Sequence, residues 1–176
     1  MPLRIYSADG KLVAEYGAKR RIPLRIEEIP DSLKQAVVAA EDANFYHHPG
    51  VDYKGLLRAV GKLITTGEKV QGGSTITMQV ARNFFLNRER TYSRKLREIL
   101  LAFQIEKRLS KGAILALYLN QNYMGNRAYG VGAAAHTYYG VNVDELALPQ
   151  IAMLAGLYKA PSKYNPVVNP ERALLR

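Results

Sequence analysis

Cysteine is absent from the 176-residue chain, which excludes disulfides and thiolate metal sites. That absence is compatible with a cytosolic or an extracytoplasmic setting. No stretch approaches the roughly 18 apolar residues that a membrane-crossing helix needs. The N-terminus lacks the pattern of a secretory leader, because Arg4 and Asp9 interrupt it. Histidine is scarce, and His47, His48 and His136 have no spacing that would gather one metal ion. Acid is in short supply too: 15 Asp and Glu stand against 25 Lys and Arg, a net charge of +10. That surplus favours an anionic partner, whether nucleic acid, an anionic membrane surface or a phosphorylated substrate. What remains is ordinary for one globular domain with a real core, 48% hydrophobic and 23% charged, without internal repeat or low-complexity tract.

Patterning predicts a mainly α chain. Asp9-Gly10, flanked by Arg4 to Ser7 and Leu12 to Tyr16, signals a β-hairpin, the only segment that argues for strand. Pro23 and Pro30 bound an extended linker from Arg21. Asp31 caps a helix running to about Asn44, with Leu33, Ala36, Val37 and Ala40 as its apolar stripe. Lys54 to Thr66 is a second helix, with Leu56, Leu57, Val60, Leu63 and Ile64 on one face and Lys54, Arg58 and Lys62 on the other. It is either core packing or an interfacial helix laid against lipid headgroups. Thr75 to Phe85 forms a third helix. Ser93 to Leu109 forms a fourth, with Leu96, Ile99, Leu100 and Phe103 as its stripe. Ser110 caps a buried fifth that carries Ile114, Leu115, Leu117 and Leu119. Gly125 to Gly140 mixes loop with a short helix, and Leu146 to Lys159 is a last helix stopped by Pro161.

Four features could carry chemistry. Glu41 follows Val37 by four and Leu33 by eight, which sets it near the apolar face of its helix. Partial burial there would raise its pKa toward the range of a general base; the plainer reading is a surface carboxylate paired with a base. Glu98, four residues after Arg94, reads by spacing as half of a helical ion pair, set within a run of basic residues. Gly72 to Gln79 is a glycine-led turn feeding a helix N-terminus, where backbone amides and the hydroxyls of Ser74 and Thr75 could cradle an anion, or simply start a helix. Arg82, Arg90, Arg94, Lys95 and Arg97 are the densest basic stretch, either a solvated face or part of that cradle.

These segments fall into ordered motifs. Glu41, Asp42, Phe45, His48 and Gly50 reproduce Glu-Asp-x-x-Phe-x-x-His-x-Gly. Gly72 to Gln79 matches Gly-x-Ser-Thr-Ile-x-Gln-Gln, with Met78 in place of the first glutamine and Gln79 retained. Arg94-Lys95-Leu96-Arg97-Glu98 matches Arg-Lys-x-x-Glu. Lys111 to Asn120 follows Lys-x-x-Ile-Leu-Glu-x-Tyr-Leu-Asn, with Ala116 for the glutamate, and Arg127 to Ala135 follows a fifth motif. Over nearly its whole length the chain therefore resembles the peptidoglycan glycosyltransferase domain, glycosyltransferase family 51, of class A penicillin-binding proteins.

The resemblance implies a mainly α, lysozyme-like fold with a large lobe, a small membrane-facing lobe and a short N-terminal β-hairpin. Residues 1–30 would be hairpin and linker, and residues 31–176 the glycosyltransferase domain. A membrane anchor is expected before Met1 and a transpeptidase domain after Arg176. The implied reaction polymerises lipid II into glycan strands, with inverting transfer from an undecaprenyl-pyrophosphate donor to the acceptor's 4-hydroxyl. Glu41 would be the catalytic base and Glu98 the second catalytic carboxylate. Arg58, Ser74, Thr75, Gln79, Arg82, Arg90, Arg94 and Lys95 would bind substrate. A divalent cation, Mg2+ or Mn2+, could assist, Glu98 would either orient the basic side chains or hold that metal, and no organic cofactor is expected. Expected partners are lipid II, the growing glycan, the bacterial membrane surface and moenomycin-type inhibitors, but no nucleic acid. The expected location is the outer, periplasmic face of the inner membrane. Two rivals differ in chemistry. A lysozyme-type hydrolase needs a glutamate but no basic cradle, and a nucleic-acid module explains the charge but not the two glutamates.

Overall fold

In the computed structural model, which describes residues 3–16, 19–66, 73–87 and 91–175, the Asp9-Gly10 turn folds β1 (Leu3–Tyr6) antiparallel to β2 (Leu12–Tyr16). Gly10 supplies the φ of +79° that this turn requires. The hairpin belongs to a unit made of Met1–Pro30 and Leu119–Arg176, while Asp31–Tyr118 forms a second unit.

The first unit holds more strand than the patterning predicts. The expected linker begins as β3 (Arg20–Arg21), then forms a 3-10 turn at Ile26–Glu28 that Arg25 closes through its contacts with Glu28. β3 pairs in parallel with β5 (Ala128–Tyr129), and β5 pairs antiparallel with β4 (Tyr123–Gly125). Strands of two and three residues are too short to display a period of two, so sequence alone does not reveal them. Asn126 and Arg127 turn the β4–β5 ribbon with φ of 45° and 65°. Asn120 fastens the N-terminal segment by bonding both the amide and the carbonyl of Leu24 at 2.8 Å. α6 (Val131–Tyr139) buries Val131 and the run Ala133, Ala134 and Ala135. α7 (Leu148–Leu157) buries Ile151, Leu154, Ala155 and Leu157 and ends short of Pro161, and α8 (Pro170–Leu174) closes the unit.

The second unit is helical. α1 (Asp31–Glu41) starts at Asp31 itself, whose carboxylate meets Lys34 at 2.6 Å. It buries Leu33, Val37 and Val38, whereas Ala40 is exposed. Full burial of Leu33 and Val37 contributes about 1.5–3 kcal/mol each relative to exposure. The helix stops at Glu41 rather than near Asn44, because Asp42 turns inward to His48 and to the amide of Ile76, and Phe45–His47 continues as a 3-10 turn.

α2 (Tyr53–Thr66) begins on Asp52, which accepts the Gly55 amide at 3.0 Å. Leu57 is 73% exposed, so core packing does not describe this residue of the expected stripe. The side chains of Val60, Lys62, Leu63 and Ile64 lie outside those described. α3 (Ile76–Phe85) is capped by Thr75, α4 (Tyr92–Arg108) by Thr91, and α5 (Lys111–Gln121) by Ser110, each hydroxyl accepting an amide three residues on at 3.2 Å.

α4 presents a different face to the core than its apolar stripe predicts. Glu98, Ala102 and Ile105 are buried, while Leu96 and Leu100 are 59% and 55% exposed. Ile99 and Phe103 pack at the margin of a cluster formed by Val51, Met78 and Ala102. Ala102 lets the loop come close: a Cβ on Gly50 would sit 3.1 Å from the Ala102 carbonyl oxygen, and Gly50 has φ of +97°. α5 buries Ile114, Leu115, Tyr118 and Leu119, as its apolar crowding predicts.

Candidate active site

Glu41 is the last residue of α1 and is half-buried. Its Oε2 accepts a hydrogen bond from Gln79 Nε2 at 3.2 Å and lies 3.3 Å from the Tyr118 hydroxyl. That hydroxyl is also 3.3 Å from Gln79 Oε1. Three helices, α1, α3 and α5, thus converge on one carboxylate. α3 can serve it because adjacent residues of a helix diverge: Gln79 turns to Glu41 while Met78 turns into the core, 1% exposed. Met78 therefore costs the site no polar contact with Glu41.

The segment after Glu41 is locked from below. Asp42, 8% exposed, accepts the amide of Ile76 at 2.9 Å and lies 3.0 Å from His48 Nε2 through both oxygens. His48 Nδ1 accepts the Gly50 amide at 3.1 Å, which places a ring proton on Nε2 facing Asp42. A carboxylate on the first amide of α3 also complements the helix dipole. Thr75 donates to the Gly50 carbonyl at 2.5 Å, and Lys111 donates to the His48 carbonyl at 2.7 Å while its Nζ lies 4.5 Å from the centre of the Phe45 ring. Lys111 and Thr77 share Glu106 at 2.8 and 2.6 Å.

A second cluster forms where α4 passes the turn before α3. Glu98 is 1% exposed and bonds Arg94 through one oxygen and Lys95, at 3.1 Å, through the other. Lys95 Nζ also reaches Ser74 Oγ at 2.8 Å. Burial, then the like charges of Arg82 and Arg94, push Lys95 down from its ordinary 10.5 to about 8. Arg82 lies three residues after Gln79, on the same side of α3. Arg94 Nε is buried with no hydrogen-bond partner among the described residues.

The structure thus brings together Glu41 with Gln79, and Glu98 with Arg94, Lys95, Ser74 and Arg82. The Thr75 hydroxyl is taken up by its cap and by Gly50. Arg58 is exposed on α2, where it joins the Gly55 amide and Asn44 in holding Asp52 below the usual carboxylate range. Arg90 and Gly72 lie outside the described residues. The donor set does not fit a resident divalent ion at Glu98: both oxygens hold cations, and no group of three His, Asp or Glu side chains gathers among the described residues. Sequence reasoning passed over Tyr118, which sits among Ile114, Leu115 and Leu119 and reads as core; only its hydroxyl, in an otherwise aliphatic run, signals a polar task. Asp42 and Lys111 were likewise unassigned.

A carboxylate held by the neutral donors Gln79 and Tyr118, with α3 also reaching a cationic cluster, is an arrangement suited to acid–base chemistry beside an anionic leaving group. The Transglycosylase family model matches residues 9–176. Along its whole length the chain is 55% identical to penicillin-binding protein 1A of Pseudomonas aeruginosa and 53% identical to that of Escherichia coli, and it spans 21% of each. A crystal structure of penicillin-binding protein 1A from Haemophilus influenzae aligns with 98% of the chain and 16% of its own, with a TM-score of 0.50 and 29% identity. The chain belongs to the transglycosylase family.

Proposed function

We propose that this transglycosylase domain polymerises lipid II into peptidoglycan glycan at the outer face of the bacterial inner membrane. The observation that carries the reading is α3, whose Gln79 holds Glu41 and whose leading turn and last turn meet Lys95 through Ser74 and Arg82. Glu41 takes the proton from the acceptor's sugar 4-hydroxyl. The freed oxygen attacks the donor's anomeric carbon opposite the leaving group, the bond to the pyrophosphate oxygen breaks with its electron pair, and α configuration becomes β. A pyrophosphate is already a good leaving group, so it needs charge stabilisation more than a proton. Lys95, Arg82 and Arg94 supply that, and the orphaned Arg94 Nε is a donor that a phosphate oxygen would satisfy. Glu98 holds Arg94 and Lys95 in place. A divalent cation would have to arrive with the pyrophosphate, and no step is routed through it. Moenomycin-type inhibitors would compete for the same cationic cluster.

The exposed leucines of α2 and α4, Leu57, Leu96 and Leu100, support contact with the membrane surface. No helix among the described residues is long and apolar enough to cross a bilayer. The test is incubation with labelled lipid II followed by analysis of the product linkage. β-1,4-linked glycan supports the reading, whereas reducing ends released from finished peptidoglycan would favour a hydrolase instead.

A further inference from the structure

Tyr118 is 1% exposed, yet its one polar atom lies 3.3 Å from both Glu41 Oε2 and Gln79 Oε1. An ionised carboxylate only accepts, so the Gln79 amide must turn its NH2 to Glu41, and its carbonyl oxygen then faces the tyrosine hydroxyl. The hydroxyl has one proton and two acceptors at equal distance, and the charged carboxylate oxygen is the stronger of them, so Gln79 and Tyr118 both donate to Oε2. Oε1 has no hydrogen bond among the described residues.

We propose that Tyr118 is a positioning residue: with Gln79 it fixes Glu41 Oε2, so that Oε1 is the atom that takes the acceptor's proton. The arrangement has a consequence for the barrier. When Oε1 becomes protonated, Oε2 is a carbonyl oxygen that still accepts from Gln79 and Tyr118. The same hydrogen bonds serve both protonation states, and the site needs no reorganisation during the transfer. The ring, 1% exposed on α5, holds the hydroxyl where a mobile water would not. A carboxylate without this contact can rotate, and both oxygens then sample the approach to the acceptor.

This inference rests on Glu41 being the base, so its test has one arm that does not depend on turnover. Tyr118→Phe keeps the ring and removes only the hydroxyl. The variant should lower kcat about tenfold with KM within about twofold of the parent, because the contact serves the transferring proton and not substrate affinity. Infrared spectroscopy gives the independent arm. The Glu41 carboxylate band, identified by its loss in Glu41→Gln, should move in Tyr118→Phe. An unchanged kcat overturns the proposal, and so does a fall in kcat with the band unmoved, which would assign the loss to packing. A band that moves while Glu41→Gln keeps full activity overturns the base reading beneath it.

Discussion

Raising the pH from 7 to 9 tests the cationic cluster most sharply at Lys95. Burial and its cationic neighbours hold this amine at about 8. In the free domain about nine-tenths of it is charged at pH 7 and about one-tenth at pH 9. If the charged form binds the pyrophosphate, kcat/KM should fall about tenfold across that interval, since kcat/KM reports the free enzyme. Unfolding does not mimic this effect through Lys95. Its folded value lies below the ordinary 10.5, so between pH 8 and 10.5 the unfolded chain binds the extra proton, and the group's contribution to stability rises with pH while activity falls. Lys95→Arg separates charge from other alkaline effects, because guanidinium stays protonated throughout. Initial rates of lipid II polymerisation should show an alkaline limb near pH 8 in the parent and a flat profile to pH 10 in Lys95→Arg, whatever its absolute rate. A parent profile flat to pH 10, or the same limb in both proteins, would refute the assignment.

Other perturbations read the remaining parts. Glu98→Ala strands Arg94 and Lys95 beside a carboxylate site that was 1% exposed, and should cost about 3–5 kcal/mol in urea unfolding, toward the lower end because Lys95 is itself 34% exposed. Asp42→Ala leaves the Ile76 amide and His48 Nε2 without their acceptor, and should cost about 2–4 kcal/mol, with part recovered in Asp42→Asn. The double change Leu96→Asp and Leu100→Asp should alter unfolding by less than about 1 kcal/mol, since both residues are more than half exposed, yet reduce co-sedimentation with anionic phospholipid vesicles.

Local signals were legible where one segment decides its own structure. Asp9-Gly10 marks a hairpin, Thr75 and Ser110 mark helix starts, and the apolar crowding of Ile114 to Leu119 marks a buried helix. The sheet of β3, β5 and β4 was not legible, because Arg20–Arg21 finds its partner at Ala128–Tyr129, far along the chain, and two-residue strands carry no pattern. α4 misled for a different reason. Its strongest apolar stripe, through Leu96 and Leu100, faces outward, and a glutamate lies on the buried side beside Ala102. Periodicity identifies an amphipathic helix without saying what covers each face. At the site, Glu41, Glu98, Lys95 and Gln79 could be named from motifs, but the tie from Tyr118 to Glu41 depends on α5 crossing near the end of α1, which spacing alone does not disclose.

The central claim is that Glu41 is the base for glycan polymerisation. The most direct measurement compares the 176-residue chain with its Glu41→Gln variant, using labelled lipid II in detergent with a divalent cation present. Glutamine keeps the shape of the side chain but takes up no proton at neutral pH. Glycan formed by the parent, with at least a hundredfold slower formation by the variant, is the predicted result, in line with the roughly 10²–10⁴-fold contribution of general base catalysis. Equal rates in the two proteins would contradict it.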